Sequence, residues 1–210
     1  MHDATLVSQI AERVLARISE ADPHRVIVGV SNRHVHLTDD DFSTLFGYSK
    51  PTVRRYVRQH GEFAAEETVT LVGPKNTIER VRVMGPNRNA TQVEIARTDC
   101  ITLGVDAPIA QSGHLEHAAP VELRGPKGAV RRNAAIVAAR HIHMGPDDAR
   151  ALGLEDQDLV RVAFGGQRGG VLDNLIIRVK DSFLQELHLD TDEANALGAA
   201  SGDWVRICKD

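Results

Sequence analysis

Two histidine pairs, each with the spacing His-x-His, are the residues of this chain whose types and spacing most strongly predict chemistry. The segment Arg33-His34-Val35-His36-Leu37 recurs in the second half as Arg140-His141-Ile142-His143-Met144. Each copy follows an apolar run and precedes an acidic cluster, which is typical of a strand that leads into the first turn of a helix. Residues i and i+2 of a strand point to the same face, so both imidazoles of a pair can reach one metal ion. The duplication therefore predicts two metal-binding half-sites.

Each histidine pair needs a third ligand, because catalytic zinc sites usually take three protein ligands and keep one position open. Glu94 and His188 are the candidates, since each lies between two apolar residues, as a polar side chain on one face of a strand does. A lone residue in such a place is more often structural than a ligand, so these two assignments depend on the duplicated pairs. The ligand sets are His34, His36 and Glu94 in the first half and His141, His143 and His188 in the second.

The elements that must position these side chains are mostly short strands. Alternating or apolar runs predict strands over 26–30, 68–72, 78–84, 91–95, 159–164, 171–179, 186–190 and 204–208. The stretch from the first strand to about Ser112 is otherwise strand-like. Helices are predicted over 5–18, where apolar residues recur at i+4 steps, and over 146–152 and 192–197.

This pattern predicts a mainly β fold with short helices, arranged as a tandem pair of related small β-barrels with the active site at their interface. Two metal sites facing each other across that interface would suit a two-metal mechanism. The expected segments are an N-terminal amphipathic helix and linker, a first barrel half and a second barrel half, over 1–24, 25–112 and 113–210.

Composition excludes several other classes of protein. The net charge of −4 argues against a nucleic-acid-binding surface, because such surfaces usually carry a basic excess. Charged residues interrupt the apolar runs, so the sequence predicts neither a membrane span nor a signal peptide. Cys100 and Cys208 form no disulfide framework, which fits a reducing compartment. We therefore expect a cytoplasmic protein without nucleic-acid or membrane partners. The sequence does not distinguish a monomer from a homo-oligomer.

Arg88 is a candidate for holding an oxyanion substrate. It lies in the turn 85–89, just before the strand that carries Glu94, and a guanidinium group can bind phosphate through two parallel hydrogen bonds. Taken alone, it is an ordinary loop arginine. The glycine-rich turns match neither a P-loop nor a dinucleotide fingerprint, and no serine or cysteine stands in a recognisable nucleophile motif. The residues therefore point to metal chemistry without a covalent intermediate.

Several segments resemble the PduL-type phosphate acyltransferases, also called phosphate propanoyltransferases. The resemblance is carried by 29–37, 61–69, 139–144 and 190–196 and by two Gly-Pro-Lys turns, and it extends from about Val26 to Ile207. It implies a tandem β-barrel fold, two zinc ions per chain, and reversible transfer of a short acyl group, propanoyl or acetyl, between coenzyme A and inorganic phosphate. It also implies zinc ligation by both ligand sets and phosphate contacts from Arg88 and Ser112; Ser112 depends on the resemblance alone.

Two features depart from the family pattern. Some members have a cysteine two residues after the glutamate ligand, where this chain has Ala96, so no thiolate contact is expected at that metal. The segment 53–60 fits the pattern poorly, which leaves the residues that contact coenzyme A unassigned.

Two other functions stay open from the sequence. A two-metal hydrolase of thioesters or esters would have the same ligand sets, and a non-catalytic module would hold zinc in closed four-ligand sites. The helix over 5–18 also has two interpretations. The resemblance implies an encapsulation signal that binds shell proteins of a bacterial microcompartment, as in propanediol degradation; the alternative is a helix docked on its own barrel.

Overall fold

The computed structural model describes residues 22–208, so the predicted helix over 5–18 lies outside the described residues. Fourteen strands and four short helices make up this part of the chain. The strands are β1 (Arg25–Ser31), β2 (His34–His36), β3 (Val53–Tyr56), β4 (Phe63–Val72), β5 (Thr77–Gly85), β6 (Gln92–Glu94), β7 (Ile109–Ala110), β8 (Ala119–Arg124), β9 (Ala129–Ala138), β10 (His141–Met144), β11 (Leu159–Phe164), β12 (Gly170–Val179), β13 (Glu186–Asp190) and β14 (Trp204–Ile207). The helices are α1 (Asp39–Phe46), α2 (Arg97–Leu103), α3 (Pro146–Leu152) and α4 (Thr191–Leu197).

These strands close into two six-stranded barrels, which confirms the predicted tandem pair. The His141 barrel has the order β1-β13-β10-β12-β11-β14. The His34 barrel has the order β4-β5-β2-β6-β9-β8, and it closes because β8 pairs with both β9 and β4. Two further strands, β3 and β7, extend this sheet from β4 and β9.

The two histidine pairs occupy equivalent strands, which is the structural form of the sequence repeat. In the His34 barrel, β2 runs parallel to β5 and antiparallel to β6. In the His141 barrel, β10 runs parallel to β12 and antiparallel to β13. Each histidine strand therefore has its third predicted ligand on its antiparallel neighbour.

The chain forms its two compact units from non-contiguous segments. Among the described residues, one unit takes 22–29, His141–His188 and 197–208, and the other takes Val30–Arg140 and Leu189–Ala196. Although β1 directly precedes β2 in the chain, it pairs with β14 of the His141 barrel, and β9, which directly precedes β10, pairs with β6 of the His34 barrel. The predicted ranges 25–112 and 113–210 thus follow the order of the sequence repeat. The His141 barrel also includes β1 from the first range, and the His34 barrel also includes β8 and β9 from the second.

Helix α1 begins directly after the first histidine strand, for local reasons. The Thr38 hydroxyl accepts a hydrogen bond from the Asp41 N–H at 3.1 Å, and the first turn holds three aspartates that complement the helix dipole. Gly47 ends the helix with a φ of 82°, a conformation that costs glycine little. Phe42 and Leu45 are fully buried in the core of the His34 barrel, so the helix anchors the end of β2.

The two Gly-Pro-Lys turns each close on the end of a helix. The Lys75 N–H donates to the Leu103 carbonyl at the end of α2, and the Lys127 N–H donates to the Leu45 carbonyl near the end of α1, both at 3.0 Å. A Cβ on the glycine that begins either turn, Gly73 or Gly125, would collide with that same carbonyl oxygen. Glycine is therefore required at both turns, because the backbone of the turn lies directly against the helix end.

One expectation from the sequence is wrong: the stretch before Ser112 is not strand-like throughout. Residues Arg97–Leu103 form α2, whose first turn is held by the Asp99 carboxylate accepting the Ala96 N–H at 3.1 Å. The helix has only seven residues, too few for its apolar spacing to stand out from that of a strand. Over residues 22–208, no helix has the length and apolar character needed to span a membrane.

Candidate metal centres

The first centre is the His34 cluster, which comprises His34, His36 and Glu94. Along β2 the apolar Val35 is fully buried in the barrel core, and the two histidines that flank it share the opposite face. Glu94 lies directly opposite His34 on β6. The carboxylate oxygens lie 3.5 Å from the His34 Nε2 atom and 3.8 Å from the His36 Nε2 atom. One ligand atom from each residue lies within 4.8 Å of the other two, close enough for a single ion.

The backbone fixes which His34 nitrogen faces this cluster. The Nδ1 atom lies 2.8 Å from the Asn32 carbonyl oxygen, which can only accept, so Nδ1 carries the hydrogen. The Nε2 atom is then the nitrogen that points toward Glu94, and it has the lone pair when the ring is neutral. Metal-binding histidines in proteins typically have this arrangement, with the second ring nitrogen donating to a carbonyl or carboxylate.

The charges of the His34 cluster are strongly coupled. Burial by itself would raise the pKa of Glu94, but the neighbouring His34, His36 and Arg88 hold it well below its usual range. Burial opposes protonation of His34, yet Glu94 outweighs it and raises the His34 pKa. The pKa of His36 lies well below its usual value because of burial and the positive charges of His34 and Arg88. The cluster therefore offers an ionised carboxylate and a neutral imidazole, the forms that bind a divalent cation.

A hydrogen-bond network joins the predicted phosphate residues to this cluster. Arg88 Nη1 donates to the Ser112 hydroxyl oxygen at 3.2 Å, and its Nη2 donates to Glu62 at 3.1 Å. Gln92 Nε2 donates to Ser112 Oγ at 2.8 Å and to Glu94 Oε1 at 2.6 Å. The structure thus brings Arg88 and Ser112 together and connects them to a candidate metal ligand.

The second centre is the His141 cluster, which comprises His141, His143 and His188. His141 lies directly opposite His188 on neighbouring strands, and their rings stack with centroids 4.9 Å apart. The His143 ring lies 4.7 Å from His141 and 4.6 Å from His188 between centroids. One ligand atom from each of the three residues lies within 4.8 Å of the others.

The electrostatic environment of the His141 cluster disfavours protonation of His143. Burial, together with the charges of His188 and His141, pushes the pKa of His143 far below its usual value, and Arg178 and Lys180 act in the same direction. Both ring nitrogens of His143 are buried, and no hydrogen-bond partner for them occurs among residues 22–208. The ring itself stacks on Phe183 with centroids 3.8 Å apart. A carboxylate oxygen of Glu186 lies 3.2 Å from His188 Nε2.

Both clusters fit a metal ion by their donor chemistry. Buried imidazole nitrogens without hydrogen-bond partners are costly unless something else binds them, and a divalent cation satisfies them without a proton. The donor sets, two imidazoles with a carboxylate and three imidazoles, are both known types of catalytic zinc site. All six predicted ligands therefore occur in two groups, each of which could hold an ion.

Sequence reasoning missed three neighbours of these centres. Gln92 lies two residues before Glu94 on the same strand, so its shared face could have been read from the spacing. Glu62, which pairs with Arg88, and Phe183, which stacks on His143, come from distant parts of the chain. Neither has a local sequence pattern that indicates its partner.

Comparisons with known proteins all point to one family. A family model described as phosphate propanoyltransferase matches residues 27–200. A phosphate propanoyltransferase of Thermotoga maritima is 50% identical over 87% of this chain and 88% of its own length, and one of Rhodopseudomonas palustris is 49% identical over 90% and 84%. A third, of Rhodobacter capsulatus, is 44% identical over the whole of both chains. With a match of this extent along both barrels, the chain belongs to the phosphate propanoyltransferase family.

Proposed function

We propose that the protein catalyses reversible transfer of a short acyl group, propanoyl or acetyl, between coenzyme A and inorganic phosphate, with one zinc ion in each cluster. Membership of the phosphate propanoyltransferase family supports the reaction class. The observation that carries the proposal is the pair of donors, Arg88 and Ser112, hydrogen-bonded to each other and linked through Gln92 to Glu94. A guanidinium beside a hydroxyl, next to a metal ligand, suits a tetrahedral oxyanion such as phosphate.

The chain's own residues bind and orient the reactants. Arg88 neutralises part of the phosphate charge and holds it by charge-assisted hydrogen bonds, while Ser112 adds a neutral hydrogen bond. A phosphate oxygen attacks the thioester carbonyl carbon, the carbon–sulfur bond breaks, and coenzyme A leaves as the thiolate while the acyl phosphate forms. Bound zinc would supply Lewis acidity toward the developing oxyanion and a ligand position that accepts sulfur. Holding both reactants together replaces a bimolecular encounter with an oriented one.

The test is coenzyme A release from acetyl-CoA and propanoyl-CoA, with and without phosphate, on protein of measured metal content. We expect release that requires phosphate, with about two zinc ions per chain. Release that ignores phosphate would instead identify a thioester hydrolase. Full metal loading without release would identify a protein in which the metals are structural.

Location inside a bacterial microcompartment is a separate proposal, which rests on the amphipathic pattern of residues 5–18, since a short amphipathic helix can act as an encapsulation signal in this family. Deleting residues 1–20 and following co-assembly with shell proteins tests it. Loss of co-assembly with retained activity would support an encapsulation signal. Unchanged co-assembly would favour a helix that docks on its own barrel.

A further inference from the structure

We propose that Gln92 is a positioning residue that orients Glu94 and Ser112 together, so that the metal ligand and the phosphate donor are fixed by one side-chain amide. This inference rests on the proposed function and deepens it. Gln92 is only 2% exposed, and it lies on β6 two residues before Glu94, on the same face of the strand. A buried amide is costly unless its donors and acceptor are satisfied, so its partners determine its role.

The orientation of the Gln92 amide is fixed by two independent partners. The Gly113 N–H can only donate, and it lies 2.7 Å from Oε1, which must therefore be the carbonyl oxygen. On the other side of the amide, Nε2 lies 2.6 Å from Oε1 of the Glu94 carboxylate, which accepts its hydrogen bond. The second hydrogen of Nε2 goes to Ser112 Oγ at 2.8 Å. Both donors and the acceptor of the amide are thus used.

This arrangement determines what the Ser112 hydroxyl can do. A hydroxyl group has two acceptor lone pairs and one hydrogen to donate. Ser112 Oγ accepts from Gln92 and also from Arg88 Nη1 at 3.2 Å, so both lone pairs are occupied. In both of the hydrogen bonds described for Ser112 Oγ the hydroxyl oxygen is the acceptor, so its hydrogen is left to donate to a ligand. Ser112 is therefore held as a donor, the role that a phosphate oxygen requires.

The same amide also orients the carboxylate of Glu94. Its hydrogen bond to Oε1 restricts rotation of the carboxylate and leaves Oε2 facing His34 Nε2, 3.5 Å away. Partners of this kind, which hold a metal ligand in place, commonly change metal affinity when they are mutated.

The main test is Gln92→Met, which keeps the length and removes both donors. We expect the KM for phosphate to rise roughly tenfold, while the KM for acyl-CoA stays within about twofold of the wild type. Zinc retention against a chelator should fall by about tenfold or more. When Gln92→Met is combined with Ser112→Ala, the phosphate KM should rise by clearly less than the product of the two single rises. Both variants remove the same oriented donor.

Two further variants keep the test decisive. Gln92→Asn retains the amide but withdraws it by one methylene, so it should raise the phosphate KM even if the methionine variant fails to fold. Glu67→Gln is the matched control, since Glu67 is also buried in the His34 barrel, where it accepts hydrogen bonds from Tyr48 and Thr52. It should lower the melting temperature without changing the phosphate KM or zinc retention.

The inference and the proposed function fail in different ways. A Gln92→Met protein with wild-type phosphate KM and wild-type zinc retention would overturn the role of Gln92. Wild-type protein that releases coenzyme A without phosphate would overturn the proposed function. In that case, zinc retention and the rise in melting temperature caused by phosphate still measure whether Gln92 orients Glu94 and Ser112.

Discussion

The His34 cluster and the His141 cluster stand on the same strand arrangement but have different chemical surroundings. In both, the strand with the His-x-His pair lies between one parallel strand and one antiparallel strand, and the antiparallel strand carries the third candidate ligand. Glu94 gives the first cluster a negative charge and a hydrogen-bonded link to Ser112. The second has three imidazoles and an aromatic ring packed on His143. The repeat thus sets where ligands lie, and the third ligand sets the charge that a bound ion would retain.

The largest expected effect comes from removing one histidine of each cluster in turn. His34→Ala and His141→Ala should each lower turnover by about a thousandfold, equivalent to about 4 kcal/mol of lost transition-state stabilisation. Each should also remove about one zinc ion per chain, measured by elemental analysis. His60→Ala is the control, because His60 is exposed and outside both clusters. If either variant kept both ions and full turnover, its cluster would have no role in catalysis.

Substitution of Arg88 tests the anion site proposed beside the His34 cluster. Because hydrogen bonds to charged groups contribute about 1.5–3 kcal/mol, Arg88→Ala should raise the KM for phosphate by about 10- to 100-fold. Arg88→Lys should recover little of this loss, since lysine keeps the positive charge but lacks the paired N–H donors of a planar guanidinium group. Steady-state kinetics with either substrate varied give the measurement, with exposed Arg97→Ala as control. A parallel rise in the KM for acyl-CoA would contradict a specific phosphate contact.

Removal of the metal should affect the two clusters unequally. Without metal, His34 and Glu94 still have each other as partners, and His36 has one buried ring nitrogen without a partner among residues 22–208, whereas both ring nitrogens of His143 are buried without one. Leaving such groups unsatisfied costs about 1–3 kcal/mol each, so amide exchange in β10 should accelerate at least about tenfold more than in β2. Hydrogen exchange before and after chelation measures this difference. Re-addition of zinc should restore protection, and equal acceleration in both strands would refute the asymmetry.

The smallest effect concerns Gly29, which makes room for Glu186 beside the His141 cluster. A Cβ on Gly29 would lie 2.8 Å from the Glu186 Oε1 atom, and the same carboxylate lies 3.2 Å from His188 Nε2. Because a flexible side chain can move, Gly29→Ala should cost only about 1 kcal/mol in the free energy of unfolding. It should also weaken zinc retention by the His141 cluster, while the His34 cluster keeps its ion. Gly165→Ala, which adds a Cβ in open space, is the control for the chelation and unfolding measurements.

The sequence by itself determined the strands and the pairing of histidines within each motif. These features depend on alternation over a few residues, and β11, β13 and α3 have the predicted bounds. It also indicated Glu94 and His188 as candidate third ligands, and the fold places each beside its histidine pair. The short helix α2 escaped prediction because seven residues carry too little periodic signal.

Only the tertiary structure decided which strands share a barrel and which distant groups meet. No local sequence pattern predicts that β1 pairs with β14 or that β9 pairs with β6, because these pairings join strands that are far apart in the chain. The same holds for the partners of Gln92: Glu94 is its neighbour on the strand, but Ser112 and Gly113 reach it only through folding. Local patterns thus specify which side chains share a face, whereas the closure of each barrel specifies what that face meets.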